Sequence, residues 1–84
     1  MLRTELSKHS SKFLRKCEED LRVRIIKKLR LLKENPTPSD SKAMKGYNKP
    51  VFRIRIGKYR IIYEINYNKK ILLISKIDKR ERVY

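Results

Sequence analysis

Between Val51 and Tyr63 the chain reads VFRIRIGKYRIIY. Phe52, Ile54 and Ile56 alternate with Arg53 and Arg55. That period of two marks a half-buried strand, because successive side chains point to opposite faces. Gly57-Lys58 follows, with glycine in the first position that a type II′ turn prefers, and Tyr59 to Tyr63 returns the chain. A two-residue loop sets the register: Ile56 opposite Tyr59, Arg55 opposite Arg60, Ile54 opposite Ile61 and Arg53 opposite Ile62. Arg55 and Arg60 then confront each other on one face, with Arg53 beside them. Like charges directly opposed destabilise a sheet, so this face is expected to meet an anion.

The remaining pattern surrounds this hairpin. Leu2 to Leu6 is partly alternating and suits an edge strand. Ser7 can cap a helix through its side-chain oxygen, and Phe13, Leu14, Cys17 and Leu21 recur at helical spacing. Glu18, Glu19 and Asp20 suit the positive N-terminal end of a second helix. Its apolar stripe is Leu21, Ile25, Ile26, Leu29 and Leu32, with Arg and Lys on the other faces. Asn35-Pro36 ends it, because a residue before proline avoids the α region. Asn35 to Asn48 is polar and turn-rich, the one long loop, made basic by Lys42, Lys45 and the adjoining Lys49. After the hairpin, Tyr59, Ile61, Tyr63, Ile65 and Tyr67 share one strand face, and Asn68-Lys69 turns the chain. Ile71 to Ile74 is continuously apolar, as in a strand covered on both faces. The expected architecture is α+β, one domain over residues 1–84 with order β-α-α-β-β-β. A small antiparallel sheet carries an N-terminal αα-hairpin on one face and the arginines on the open face.

Charge changes this picture from a fold to a binding protein. The chain has 84 residues, with Lys plus Arg 24 and Asp plus Glu 9, a net charge of +15. A field that strong favours a polyanionic partner: nucleic acid, an anionic membrane surface or an acidic protein. Heat-stable proteins also carry many charges, but they mix both signs in networks, and this chain is lopsided. The single cysteine, Cys17, excludes an internal disulfide. With no apolar leader and no long apolar run, the protein is expected in the cytoplasm rather than in a membrane.

The chemistry on offer is narrow. His9 has no second histidine or cysteine at ligand spacing and reads as a surface residue. Cys17 sits on the apolar stripe and reads as core. No metal-ligand cluster, glycine-rich phosphate loop or Ser-His-Asp set is present, so neither a metal nor a cofactor is expected. What remains is guanidinium and phenol: Arg53, Arg55, Arg60, Arg80, Arg82 and Tyr84. Arginine recognises phosphate bidentately and keeps its charge. Such a set suits stabilisation of a phosphorane-like transition state. An RNase built this way relies on the 2′-OH as internal nucleophile, with Tyr84 as a weak acid-base group. A non-catalytic RNA-binding surface, with arginine on phosphates and tyrosine on bases, accounts for the same residues.

The segments ELSKHSSKFLRK, KENP, KAMKG, FRIRIGKYRIIYEI and a final KR..VY occur in that order. The chain thereby resembles the RelE/ParE superfamily of toxin–antitoxin toxins, archaeal RelE in particular. The resemblance implies a ribosome-dependent endoribonuclease that cuts translated mRNA at the decoding site, and a RelB-like antitoxin that wraps and silences it. By position it implies catalytic roles for Arg60, Arg80 and Tyr84. Contacts to RNA or phosphate are expected from Arg53, Arg55, Lys45, Lys49, Lys79 and Arg82. Many members have Gly-His before the terminal arginine; here Asp78-Lys79 stands instead, which removes the family's imidazole from proton transfer. A ParE-like poison of DNA gyrase shares the fold without the chemistry and is the competing expectation.

Overall fold

The computed structural model describes residues 1–79 of the chain. Its elements in order are β1 (Arg3–Leu6), α1 (Lys8–Lys16), α2 (Glu19–Glu34), β2 (Lys42–Ala43), β3 (Val51–Ile56), β4 (Tyr59–Asn66) and β5 (Ile71–Lys79). Ser7 caps α1, accepting a hydrogen bond from the Ser10 backbone N–H. Glu18 occupies the cap of α2 without a side-chain bond, and Glu19 and Asp20 supply the acidic first turn. Arg22 of α2 reaches back to the end of α1. Its Nε donates to Leu14 O at 2.8 Å and one terminal nitrogen to Cys17 O at 2.9 Å. Carbonyls left without partners by the end of α1 are thus satisfied from α2, which locks the two helices together.

The strands form one sheet in the order β1-β5-β4-β3-β2. The β3–β4 register is the one that the two-residue loop dictates, from Ile56↔Tyr59 to Arg53↔Ile62. Gly57 at the turn has φ +58°, which L side chains adopt only with strain. The sheet is not wholly antiparallel: β1 pairs parallel to β5, because the two helices return the chain before the sheet is resumed. Within the long loop, Lys42 and Ala43 pair with Arg53 and Phe52 as a short edge strand. That pairing was invisible to a reading of loop chemistry, since a two-residue strand has no periodicity.

The helices pack on one sheet face. Ile25, Leu32, Ile54, Ile61, Tyr63, Leu72, Ile74 and Ile77 form the centre of that core and are essentially inaccessible to water. On β5 the coverage is one-sided: Leu72 and Ile74 are buried, while Ile71 and Leu73 are half-buried on the other face. The expectation of a strand covered on both faces is corrected accordingly. The apolar run arises because the open face has apolar residues between its charges. No helix among the described residues is long and apolar enough to cross a membrane.

A break in alternation positions the site. The β4–β5 register shifts between Ile62 and Tyr63, where Ile62 faces Lys76 and Tyr63 faces Ile74. Ser75 is the extra residue, a β-bulge whose hydroxyl donates to Ile62 O at 3.0 Å. The bulge keeps Ile77 in the core and turns Lys76 and Asp78 to the open face. The N-terminus of α1 seals the bulge. Ser7 N and Ser10 Oγ both donate to Ile74 O, at 3.0 and 2.9 Å, and Ser7 Oγ donates to Ser75 O at 2.9 Å.

Candidate functional site

Alternation along β3 and β4 puts Arg53, Arg55 and Arg60 on the face that the helices leave open. Arg55 and Arg60 are Cα partners, and Lys42 of the edge strand is opposite Arg53. A row of four cations therefore crosses three strands. Lys42, Arg53, Arg55 and Asp40 line a shallow cleft of about 340 Å³. Arg55 is exposed, whereas Arg53 and Arg60 are half-buried.

The row is not made of unpaired charges throughout. Arg60 is opposite Asp78 of β5, and its Nε donates to Asp78 Oδ1 at 3.1 Å. Lys76 Nζ approaches Asp78 Oδ2 at 3.6 Å. Convergence of three free guanidiniums, expected from the hairpin alone, is corrected: among the described residues, one of the three, Arg60, is held by a carboxylate. Asp78 was missed because its place beside Arg60 depends on the β4–β5 register and the Ser75 bulge. Strand continuation past Ile74 in an unbroken register would set Ile77, not an acid, opposite Arg60, so no signal along the chain gave the pairing.

The other anticipated residues separate. Lys49 forms an ion pair with Glu64 at 3.1 Å, on the rim of the open face. Lys45 is exposed in the loop before β3. Lys79 pairs with Tyr59, so alternation places it on the helix side of the sheet, away from Arg60. This corrects its expected grouping with the arginines: one residue along a strand reverses the face. Arg80, Arg82 and Tyr84 lie outside the described residues. His9 is a surface residue whose Nε2 lies 2.9 Å from Ile77 O. Cys17 is half-buried at the end of α1. No group of three or more potential metal ligands occurs among the described residues.

Tyr63 is a buried titratable group near this region, on the helix side. Its hydroxyl donates to Pro36 O at 2.7 Å. Burial pushes its pKa above the ordinary value near 10, against a smaller opposite pull from Ser41. Its role is to tie the long loop to the sheet: the phenol is neutral and faces away from the arginines.

Together the fold and this face define a small, strongly basic α+β protein with an arginine-lined open sheet face. The chain belongs to the ParE toxin family of type II toxin–antitoxin systems, parDE, whose family model matches residues 5–84. Among individual relatives, it is 43% identical over 56 residues to a Methanocaldococcus jannaschii protein designated toxin RelE1. The match covers 63% of this chain and 61% of that relative. The fold is similar to that in the archaeal RelE–RelB complex from Pyrococcus horikoshii OT3, with TM-score 0.86, 27% identity and 98% of both chains covered. Isolated E. coli RelE has the same fold at 22% identity, with TM-score 0.85 over 99% of this chain and 88% of that one. The RelB–RelE complex of Methanococcus jannaschii aligns with TM-score 0.70 and 25% identity, covering 95% of this chain and 91% of that one.

Proposed function

We infer that the protein is an mRNA interferase: a ribosome-dependent endoribonuclease that cuts translated mRNA in the ribosomal A site and so arrests translation and growth. One observation carries the reading. The hairpin register sets Arg55 against Arg60, with Arg53 and Lys42 alongside, on a sheet face free of helices. Backbone-anchored guanidiniums in that arrangement suit a phosphodiester whose charge grows in the transition state. The 2′-OH of the ribose that bears the scissile phosphate loses its proton and attacks the phosphorus. The P–O5′ bond breaks with the 5′-oxygen taking up a proton, which leaves a 2′,3′-cyclic phosphate and a 5′-hydroxyl; positioning thus replaces an external nucleophile. Arg60 is the central charge stabiliser, and Arg53 and Arg55 hold the flanking backbone. Arg80 and Tyr84 join them on the strength of the family resemblance, with Lys45, Lys49 and Arg82 as peripheral RNA contacts. The work takes place in the cytoplasm, on the ribosome and without a metal of the protein's own.

The partner of the toxin is a RelB-like antitoxin, as the RelE–RelB complexes among the similar structures support. An acidic amphipathic chain matches the surface, which is basic and carries exposed apolar residues such as Val23 and Leu31 on α2. The family model also carries the ParE name, which makes gyrase poisoning the competing activity.

Primer extension on mRNA translated in a purified system separates the two. Discrete cleavage within codons that depends on ribosomes supports the interferase. Intact mRNA together with gyrase-linked DNA breaks would replace it with the ParE-type activity. RNA binding without either would leave a non-catalytic module.

A further inference from the structure

Asp78 takes no part in the chemistry outlined above, yet it is the residue that touches Arg60. Its Oδ1 accepts from Arg60 Nε at 3.1 Å, and both side chains are about three-quarters shielded, with 29% and 26% of their surface exposed. A guanidinium has five N–H donors in a planar fork. With Nε–H committed to Asp78, the two terminal nitrogens remain as the edge that matches two phosphate oxygens. The carboxylate is itself steadied from the far side by Lys76, 3.6 Å from Oδ2. All three side chains project from neighbouring strands through register pairs Arg60↔Asp78 and Ile62↔Lys76, so their bases are rigid.

We propose that Asp78 is a positioning residue, which holds the Arg60 side chain with its terminal fork directed at a phosphodiester on the open sheet face. Its consequence for rate rests on the ribonuclease reading; the orientation of Arg60 does not. Asp78 exerts two opposed effects. Its negative charge repels RNA, and its hydrogen bond orients the group that binds RNA. Replacement by asparagine or by alanine removes the same charge, but only asparagine keeps an oxygen for Arg60 Nε–H. The difference between the two variants therefore isolates the hydrogen bond.

Asp78→Asn and Asp78→Ala are compared with the parent for folding, ribosome-dependent mRNA cleavage and the Arg60 Nε–H signal by NMR. Asp78→Asn is expected to cleave no more slowly than the parent. Asp78→Ala should lose about ten- to a hundredfold in kcat, the scale on which misplacing a catalytic contact acts. The Arg60 Nε–H signal should persist in the parent and in Asp78→Asn and exchange away in Asp78→Ala. In an Arg60→Ala background the two Asp78 variants should become equal, because Asp78 acts only through Arg60. Equal cleavage by both single variants, slower or faster than the parent, would overturn the proposal. So would an Nε–H signal retained in Asp78→Ala. If the parent cuts no mRNA, the ribonuclease reading fails by itself. The Nε–H signal and affinity for a single-stranded RNA oligonucleotide, tighter for Asn than for Ala, then decide whether Asp78 orients Arg60.

Discussion

Arg60 is the residue on which structure and proposed chemistry pull in different directions. It is opposed to Arg55 and bonded to Asp78, so its removal relieves one repulsion and breaks one ion pair. Ion pairs at accessible sites contribute up to about 1 kcal/mol. Arg60→Ala should therefore keep its fold with at most a small drop in melting temperature. Cleavage should fall by about two to three orders of magnitude, as when one donor is removed from a preorganised oxyanion site. A normal melt with undiminished cleavage would move the active site off this face. Tyr63 is the opposite case, a residue with structural consequences alone. The folded state holds its phenolic proton more tightly than the unfolded chain does. As pH rises past the unfolded value near 10, the unfolded state loses its proton first. Stability fully present below that value is lost as pH climbs through the raised folded value. Tyr63→Phe should remove about 1 kcal/mol at neutral pH, through the lost bond to Pro36 O. It should also flatten the alkaline decline relative to the parent. Denaturant titrations of both proteins between neutral and strongly alkaline pH provide the comparison.

At the level of elements, the junction between α1 and β5 decides where the charges point. The Ser75 bulge leaves backbone carbonyls outside the sheet ladder, and Ser7 and Ser10 supply the missing donors. Ser7→Ala removes the cap of α1 and the bond to Ser75 O together, with an expected loss of about 1–2 kcal/mol. Ser10 is fully buried, and Ser10→Ala should remove about 1 kcal/mol. Because the Ser7 and Ser10 hydroxyl oxygens lie 3.1 Å apart and serve neighbouring carbonyls, the double variant should lose less than the sum of the singles. Chemical denaturation of the three variants measures this, and strict additivity would show that the serines act independently. The β3–β4 hairpin needs no such support from outside, since its turn and alternation specify the same register.

For the whole molecule, the charge of +15 predicts association with RNA or ribosomes that weakens steeply as salt rises, through release of condensed counterions. A titration that stays flat with salt would remove the electrostatic basis of binding. Cleavage should also be indifferent to added zinc or manganese at constant magnesium, which the ribosome itself needs. Strong, specific activation by one of them would reveal a metal site. Both measurements are best made on the toxin alone.

Much of this molecule is local in origin and could be read along the chain. A two-residue turn with glycine at positive φ, flanked by strict alternation, leaves one register, so the Arg55–Arg60 pairing followed without coordinates. The two helices, and Ser7 as the cap of the first, followed in the same way, from apolar spacing and side-chain chemistry within a few residues. What required tertiary structure was every relation between distant segments. The parallel docking of β1 on β5 depends on the path taken by both helices. The Lys42–Ala43 strand exists only because β3 offers an edge. Pairing of Asp78 with Arg60 and the turning away of Lys79 depend on a bulge that changes register by one residue. Periodicity reports the faces of a segment but is silent about its neighbours, and a charge acquires its role from the neighbour.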